Sequence, residues 1–165
     1  MELTNDRLTL RLHQPEDLDF INTFFSDPDV IDFICEGYKI PNEKLNDFVH
    51  RTEVLSDEEQ KWLFTALDNE NKNLIGCAMF KFDEDLGDYQ FGFGLMPQYR
   101  GLGFGRIIAQ LLVDFGFDQL ELRKMVAVVD TNNENSISVL EKIGMSFLKT
   151  FEHDDRTDFI YQIEK

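Results

Sequence analysis

The stretch Gln98-Tyr99-Arg100-Gly101-Leu102-Gly103-Phe104-Gly105-Arg106 has the residue types and spacing to bind an anion. Glycines at alternate positions let the backbone come close to a ligand. The helix that follows offers unpaired N–H groups and the positive end of its dipole. Together these suit a pyrophosphate. Arg100 and Arg106 flank the turn and add positive charge. A P-loop would need Gly-Lys-Ser/Thr, which is absent. A dinucleotide fingerprint would need G-x-G-x-x-G, whereas the spacing here is G-x-G-x-G after a strand that belongs to a hairpin. A glycine-rich turn that merely opens a helix is the remaining alternative. Three glycines between two arginines in an acidic chain weigh against it.

Other reactive residues are sparse. Cys35 and Cys77 sit apart in apolar surroundings and read as buried free thiols. His13, His50 and His153 show no metal-ligand spacing, so no metal is expected and each reads as an unrelated surface or edge residue.

The elements that must carry the turn follow from periodicity. Arg7 to Leu12 alternates as a strand, and Pro15 opens an amphipathic helix with Leu18, Ile21, Phe24 and Phe25 at helical spacing, ended by Pro28. Residues 29–40 mix apolar and acidic side chains, and a weaker helical pattern runs from 43 to 55. Trp62 to Leu67, Leu74 to Phe82 and Tyr89 to Leu95 read as strands, the last two forming a hairpin across an acidic turn. A helix spans Phe104 to Phe115, and Met125 to Val129 reads as a central strand covered on both faces. Ser136 to Ile143 is a short helix closed by Gly144, and a last strand pair covers Phe147 to Glu152 and Asp158 to Ile163. This order predicts one α/β domain over residues 1–165, with a mixed central sheet flanked by helices.

Composition limits the partners. The chain has 165 residues and 42% hydrophobic side chains, enough for one core. Its formal net charge of −16 argues against nucleic acid and anionic membrane as partners; it either serves solubility alone or favours cationic partners. The charge is uneven: residues 1–99 hold 21 acidic and 8 basic side chains, a balance of −13, while residues 100–130 hold 4 of each. The neutral stretch coincides with the proposed anion site. With no apolar leader at Met1 to Leu12, no stretch of membrane-spanning length and two cysteines at most, a cytoplasmic location is expected.

The motifs resemble the GNAT superfamily of N-acetyltransferases, which transfer an acetyl group from acetyl-CoA to an amine. Arg100-Gly101-Leu102-Gly103-Phe104-Gly105 matches that family's acyl-CoA signature, Q/R-x-x-G-x-G/A. Arg7 to Arg11, Ser26 to Val30, Asn133 to Ile137 and Val139 to Met145 are similar to the Rim branch, which acetylates ribosomal-protein N-termini. The resemblance implies acetyl-CoA as co-substrate and no metal. It implies that backbone N–H groups from Gly101 to Arg106 hold the pyrophosphate, with Arg100 at the head of the turn. It also implies that Phe93, Gly94 and Leu95, on a strand splayed by a bulge, bond the pantetheine arm. Asn133 matches an Asn near that arm, and it equally suits a helix N-cap toward Ser136.

Direct attack of a neutral amine on the thioester needs a donor for the oxyanion, for which the Leu95 N–H is the candidate. It also benefits from an acid for the leaving thiolate. The Tyr that often serves as acid is replaced by Leu140, leaving Ser136 as the candidate. The Glu two residues before Gly92 in many relatives is Gln90, so deprotonation falls to another carboxylate (Asp88, Glu84 or Glu152), to water, or to no specific base. The acceptor side falls on Asp32, Phe33, Glu36 and Tyr38, suited to a protein N-terminus or a small cationic amine. A homodimer remains compatible with these features. The alternative classes are an acyl-CoA-binding module with weak or no catalysis, and a scaffold whose turn binds nothing.

Overall fold

Alternating side chains build the sheet. In β2 (Leu8–Leu12) Leu8 and Leu10 are fully buried, while Thr9 and Arg11 face the other side. The computed structural model describes residues 1–30, 61–152 and 157–165. The mixed segment up to residue 40 (from 31 onward) and the helix expected over 43–55 lie outside these residues, as do Cys35, His50 and His153.

A short first strand, β1 (Glu2–Thr4), precedes β2 and pairs with it; the strand pattern at Arg7 to Leu12 does not extend to it. Asn5 makes the turn between them, its Oδ1 accepting the N–H groups of Arg7 and Leu8, each at 2.9 Å. A single 3-10 turn at Pro15–Asp17 leads into α1 (Leu18–Phe24), which buries Ile21 and Phe24 and stops before Pro28. Then come β3 (Lys61–Asp68), β4 (Leu74–Asp83) and β5 (Asp88–Leu95). Beyond them lie α2 (Phe104–Asp114), β6 (Lys124–Asp130), α3 (Glu134–Lys142), β7 (Ser146–Glu152) and β8 (Thr157–Glu164). Among the described residues the elements follow the expected α/β order, with β1 added.

The strands form one mixed sheet in the order β1-β2-β3-β4-β5-β6-β8-β7. Every neighbouring pair is antiparallel except β5 and β6. On one face Leu10, Phe64, Ala78, Phe80 and Phe91 pack beneath Ile108 and Leu112 of α2. Phe115, just past α2, meets Trp62, Phe64 and Phe80 edge-on at centroid distances of 5.4, 5.9 and 5.2 Å. Aromatic contacts of this geometry add to the burial term and fix the seat of α2 on the sheet.

Candidate active site

The site is made by a pairing that stops. β5 and β6 are bridged only at Gln90 and Val126, so β5 continues to Leu95 with no partner on that side. On its other side β5 stays in unbroken register with β4, from Asp83 opposite Asp88 to Gly76 opposite Leu95. The bulge expected in β5 is therefore not there. Register shifts occur instead between Ala66 and Leu67 and between Phe147 and Lys149. The gap opens because parallel pairing with β6 ends, not because an extra residue is inserted.

Backbone geometry decides which groups face the gap. The Met96 N–H donates to the Ile75 carbonyl at 2.9 Å, so Met96 points toward β4. Alternation then turns the N–H and C=O groups of Leu95 and Phe93 away from β4, into the gap, and those of Gly94 toward β4. The glycine at 76 agrees: a Cβ there would run into the Gly94 carbonyl oxygen, which leans over it. In a trans peptide the Leu95 N–H points opposite to that carbonyl. Of the expected trio Phe93, Gly94 and Leu95, the first and last present backbone groups to the opening.

Parallel strands end at the same edge of a sheet. β5 and β6 each lead into a helix, so the N-termini of α2 and α3 stand side by side beyond the gap. Both bring unpaired N–H groups and positive dipole ends to it. Gly103 is the N-cap of α2 with φ +87°, a left-handed conformation open to glycine at little cost, and no side chain caps the helix. No side chain of the turn Arg100 to Arg106 therefore occupies the cap position at the start of α2. At α3 the Asn133 Oδ1 accepts the Ser136 N–H at 3.1 Å, which makes Asn133 the N-cap. Its amide nitrogen is not used by that bond. Leu95, Gly101 to Arg106, Asn133 and Ser136 are therefore gathered at one end of the sheet.

Other residues stand elsewhere. Leu140 is 2% exposed and belongs to the core, where it can donate no proton. Gln90 is buried at the bridge itself. Asp88 lies seven residues before Leu95, about 23 Å along an extended strand, and its carboxylate pairs with Lys124 at 2.7 Å. Glu84, in the turn before it, is equally remote. Glu152 is exposed at the near end of the sheet but two strands from β6. Asp32, Phe33, Glu36 and Tyr38 lie outside the described residues.

Two groups of contacts escaped the sequence reading. His13, expected as an isolated edge residue, belongs to a polar network behind β3. Thr65 Oγ1 donates to Asp17 Oδ2 at 2.9 Å and lies 2.7 Å from His13 Nδ1. Since that hydroxyl proton goes to Asp17, His13 Nδ1 is the donor to Thr65. Arg11 clasps both oxygens of Asp17 at 2.6 Å each. Burial works to raise the Asp17 carboxyl, but hydrogen bonds from Arg11, Thr65 and the Gln14 N–H prevail and hold it below the usual carboxylate range. Thr65 lies opposite Cys77, and Cys77 opposite Gly94, so this network shares a face with the end of β5. Burial, with the Asp17 charge adding to it, pushes the Cys77 thiol up. That thiol stays protonated at neutral pH and is no poised nucleophile.

The second group holds the glycine turn. Arg100 Nε donates to the Leu95 carbonyl at 3.1 Å and Nη2 to the Asp29 carbonyl at 2.9 Å. Arg7 Nη2 donates to the Leu102 carbonyl at 3.1 Å. A cleft of about 510 Å³ lined by Arg7, Asp68, Tyr99, Leu102 and Phe104 opens on the Arg7 flank of the turn, apart from the β5 edge.

The profile of the acetyltransferase (GNAT) domain matches residues 7–146. An uncharacterised N-acetyltransferase, p20 of Bacillus licheniformis, is 30% identical over 143 residues, covering 86% of this chain and 80% of that protein. The spermidine N(1)-acetyltransferase of Escherichia coli K12 is 25% identical over 137 residues, 83% of this chain and 72% of the relative. A crystal structure of a GNAT-family acetyltransferase from Bacillus anthracis superposes with a TM-score of 0.82 at 25% identity, covering 99% of this chain and 98% of the other. An open strand edge, two converging helix N-termini and these likenesses lead to one conclusion: the chain belongs to the GNAT family of N-acetyltransferases, enzymes that draw the acetyl group from acetyl-CoA.

Proposed function

We propose that this chain transfers the acetyl group of acetyl-CoA to the primary amine of a small cationic molecule, by direct attack in a ternary complex. The unpaired edge of β5 running into the uncapped N-terminus of α2 carries the reading. Pantetheine bonds along Phe93 and Leu95 as a strand would. The pyrophosphate rests on N–H groups from Gly101 to Arg106, with Arg100 behind the turn and Asn133 reaching the arm from α3.

The chemistry then falls to few groups. The thioester carbonyl lies against the Leu95 N–H, which stabilises the oxyanion as the amine attacks. Collapse of the tetrahedral intermediate expels the thiolate, and Ser136, in the first turn of α3, supplies its proton. No carboxylate stands at the Gln90 position, so the acceptor loses its proton to water.

A cationic acceptor is favoured over a protein N-terminus by the −13 balance of residues 1–99. The spermidine acetyltransferase among the relatives agrees with it. The deciding experiment presents acetyl-CoA with polyamines, aminoglycosides, small amines and N-terminal peptides, and follows free thiol. Thiol release with polyamines and none with peptides is expected. CoA binding without thiol release on any amine would instead make the protein a binding module, which the loss of Tyr at 140 and Glu at 90 would suit.

A further inference from the structure

Arg7 lies 95 residues from the glycine turn in sequence and touches it in space. Its main chain is fixed on both sides: its N–H donates to Asn5 Oδ1 at 2.9 Å and its carbonyl accepts the Asn69 N–H at 3.0 Å. From that anchor the side chain crosses to α2. Nη2 donates to the Leu102 carbonyl at 3.1 Å, and the guanidinium carbon stands 4.8 Å over the centre of the Phe104 ring. Phe104 is 6% exposed and is itself braced by Tyr99, ring to ring at 6.4 Å. Arg7 thus grips the residues on both sides of Gly103, and its Nη1 would lie 3.6 Å from a Cβ at that position.

The consequence lies in the peptide between Leu102 and Gly103. A trans peptide directs its C=O and its N–H in opposite directions. Holding the Leu102 carbonyl toward β2 therefore turns the Gly103 N–H the other way, toward the mouth of the turn. The turn has no side-chain cap to fix its shape from within. We propose that Arg7 is a positioning residue for the cofactor: by holding the Leu102 carbonyl and the Phe104 ring, it fixes the turn with its N–H groups aimed at the pyrophosphate. The inference rests on the turn being the pyrophosphate site. A guanidinium suits this task because it can lie over the ring while an N–H donates to the carbonyl. A lysine can donate but cannot stack flat.

The test uses the full chain and needs no acceptor. CoA is titrated calorimetrically into the wild type, Arg7→Lys and Arg7→Gln, with pantetheine, which lacks the pyrophosphate, as the second ligand. Arg7→Gln is expected to weaken CoA about tenfold, Arg7→Lys to fall between it and the wild type, and neither to gain or lose affinity for pantetheine. Melting of the unliganded proteins shows that the variants are folded; should Arg7→Gln unfold, Arg7→Lys decides alone. Unchanged CoA affinity in the folded variants overturns the role of Arg7. So does an equal loss toward CoA and pantetheine. If the wild type itself binds CoA no better than pantetheine, the pyrophosphate reading of the turn fails first. If it prefers CoA and Arg7→Gln keeps that preference in full, only the Arg7 inference fails.

Discussion

The Arg100 side chain donates from Nε to the carbonyl of Leu95 at 3.1 Å, so the head of the glycine turn is tied to the last residue of β5. The same guanidinium reaches the Asp29 carbonyl at 2.9 Å. It joins three segments through their backbones, and a lysine cannot span two carbonyls in that way. Arg100→Lys and Arg100→Met should both raise the KM for acetyl-CoA, by about tenfold for Met. A KM equal to the wild-type value in Arg100→Met would show that the tie is idle.

Gly76 tests the β5 edge from behind. A Cβ there runs into the Gly94 carbonyl, so the Gly94–Leu95 peptide must move in Gly76→Ala. The expected costs are about 1–3 kcal/mol of stability and a fall in kcat, because the Leu95 N–H, the proposed oxyanion donor, moves with the peptide. Urea denaturation and steady-state kinetics read the two effects. Full kcat in a folded Gly76→Ala would remove Leu95 from the mechanism.

Asn133 and Ser136 share one hydrogen bond and have separable roles. Ser136→Ala keeps the backbone N–H that the Asn133 cap uses. It should leave melting and CoA affinity unchanged while lowering kcat by at least about tenfold, as loss of a proton donor does. Asn133→Ala removes the cap and should cost about 1 kcal/mol of stability. An undiminished kcat in Ser136→Ala would move the acid elsewhere.

With Gln90 unable to act as a base at neutral pH, the proposed mechanism leaves deprotonation to the amine and solvent. A primary amine is mostly protonated at pH 7. The kcat/KM should therefore climb through the alkaline range as the neutral amine accumulates, and Gln90→Ala should shift neither the slope nor the position of that climb. A plateau set by an acidic group near neutrality would reveal a base.

Asp17 links this fold to acid stability. Its carboxyl is held below its ordinary value, so its contribution is full above the unfolded value of about 3.9 and is lost as pH falls through the folded value. Asp17→Asn leaves Arg11 without its partner and should cost about 3 kcal/mol at pH 7. Below pH 3 the gap between variant and wild type should narrow. A constant gap across that range would mean that the ion pair is not its cause.

Among the described residues, the strands from β2 onward and the three helices were legible in the sequence because each is written in local periodicity: Leu8 and Leu10, or Ile108 and Leu112, announce their faces; β1, only three residues long, carries too little pattern. That the glycine turn opens a helix was legible because a left-handed glycine at an N-cap is a local feature too. Arg7 could not be assigned to the turn, nor His13 to Thr65, since these contacts cross most of a domain or depend on which strands lie side by side. The bulge was misplaced for a similar reason: two glycines in a strand mark a close approach, but only the partner strands show whether an extra residue or a lost partner produces it. Distance along a strand likewise separates Asp88 from Leu95, although both lie on β5.

The single bridge at Gln90 and Val126 has one more consequence. It divides the backbone ladder into a five-strand ribbon and a three-strand ribbon with almost no hydrogen bonds between them, their union left to side chains beneath α2 and α3. A ligand that bonds along the open edge completes the seam. Loading the cofactor should therefore make the two ribbons melt and exchange their amides as one body, whereas the empty protein would open first at this joint.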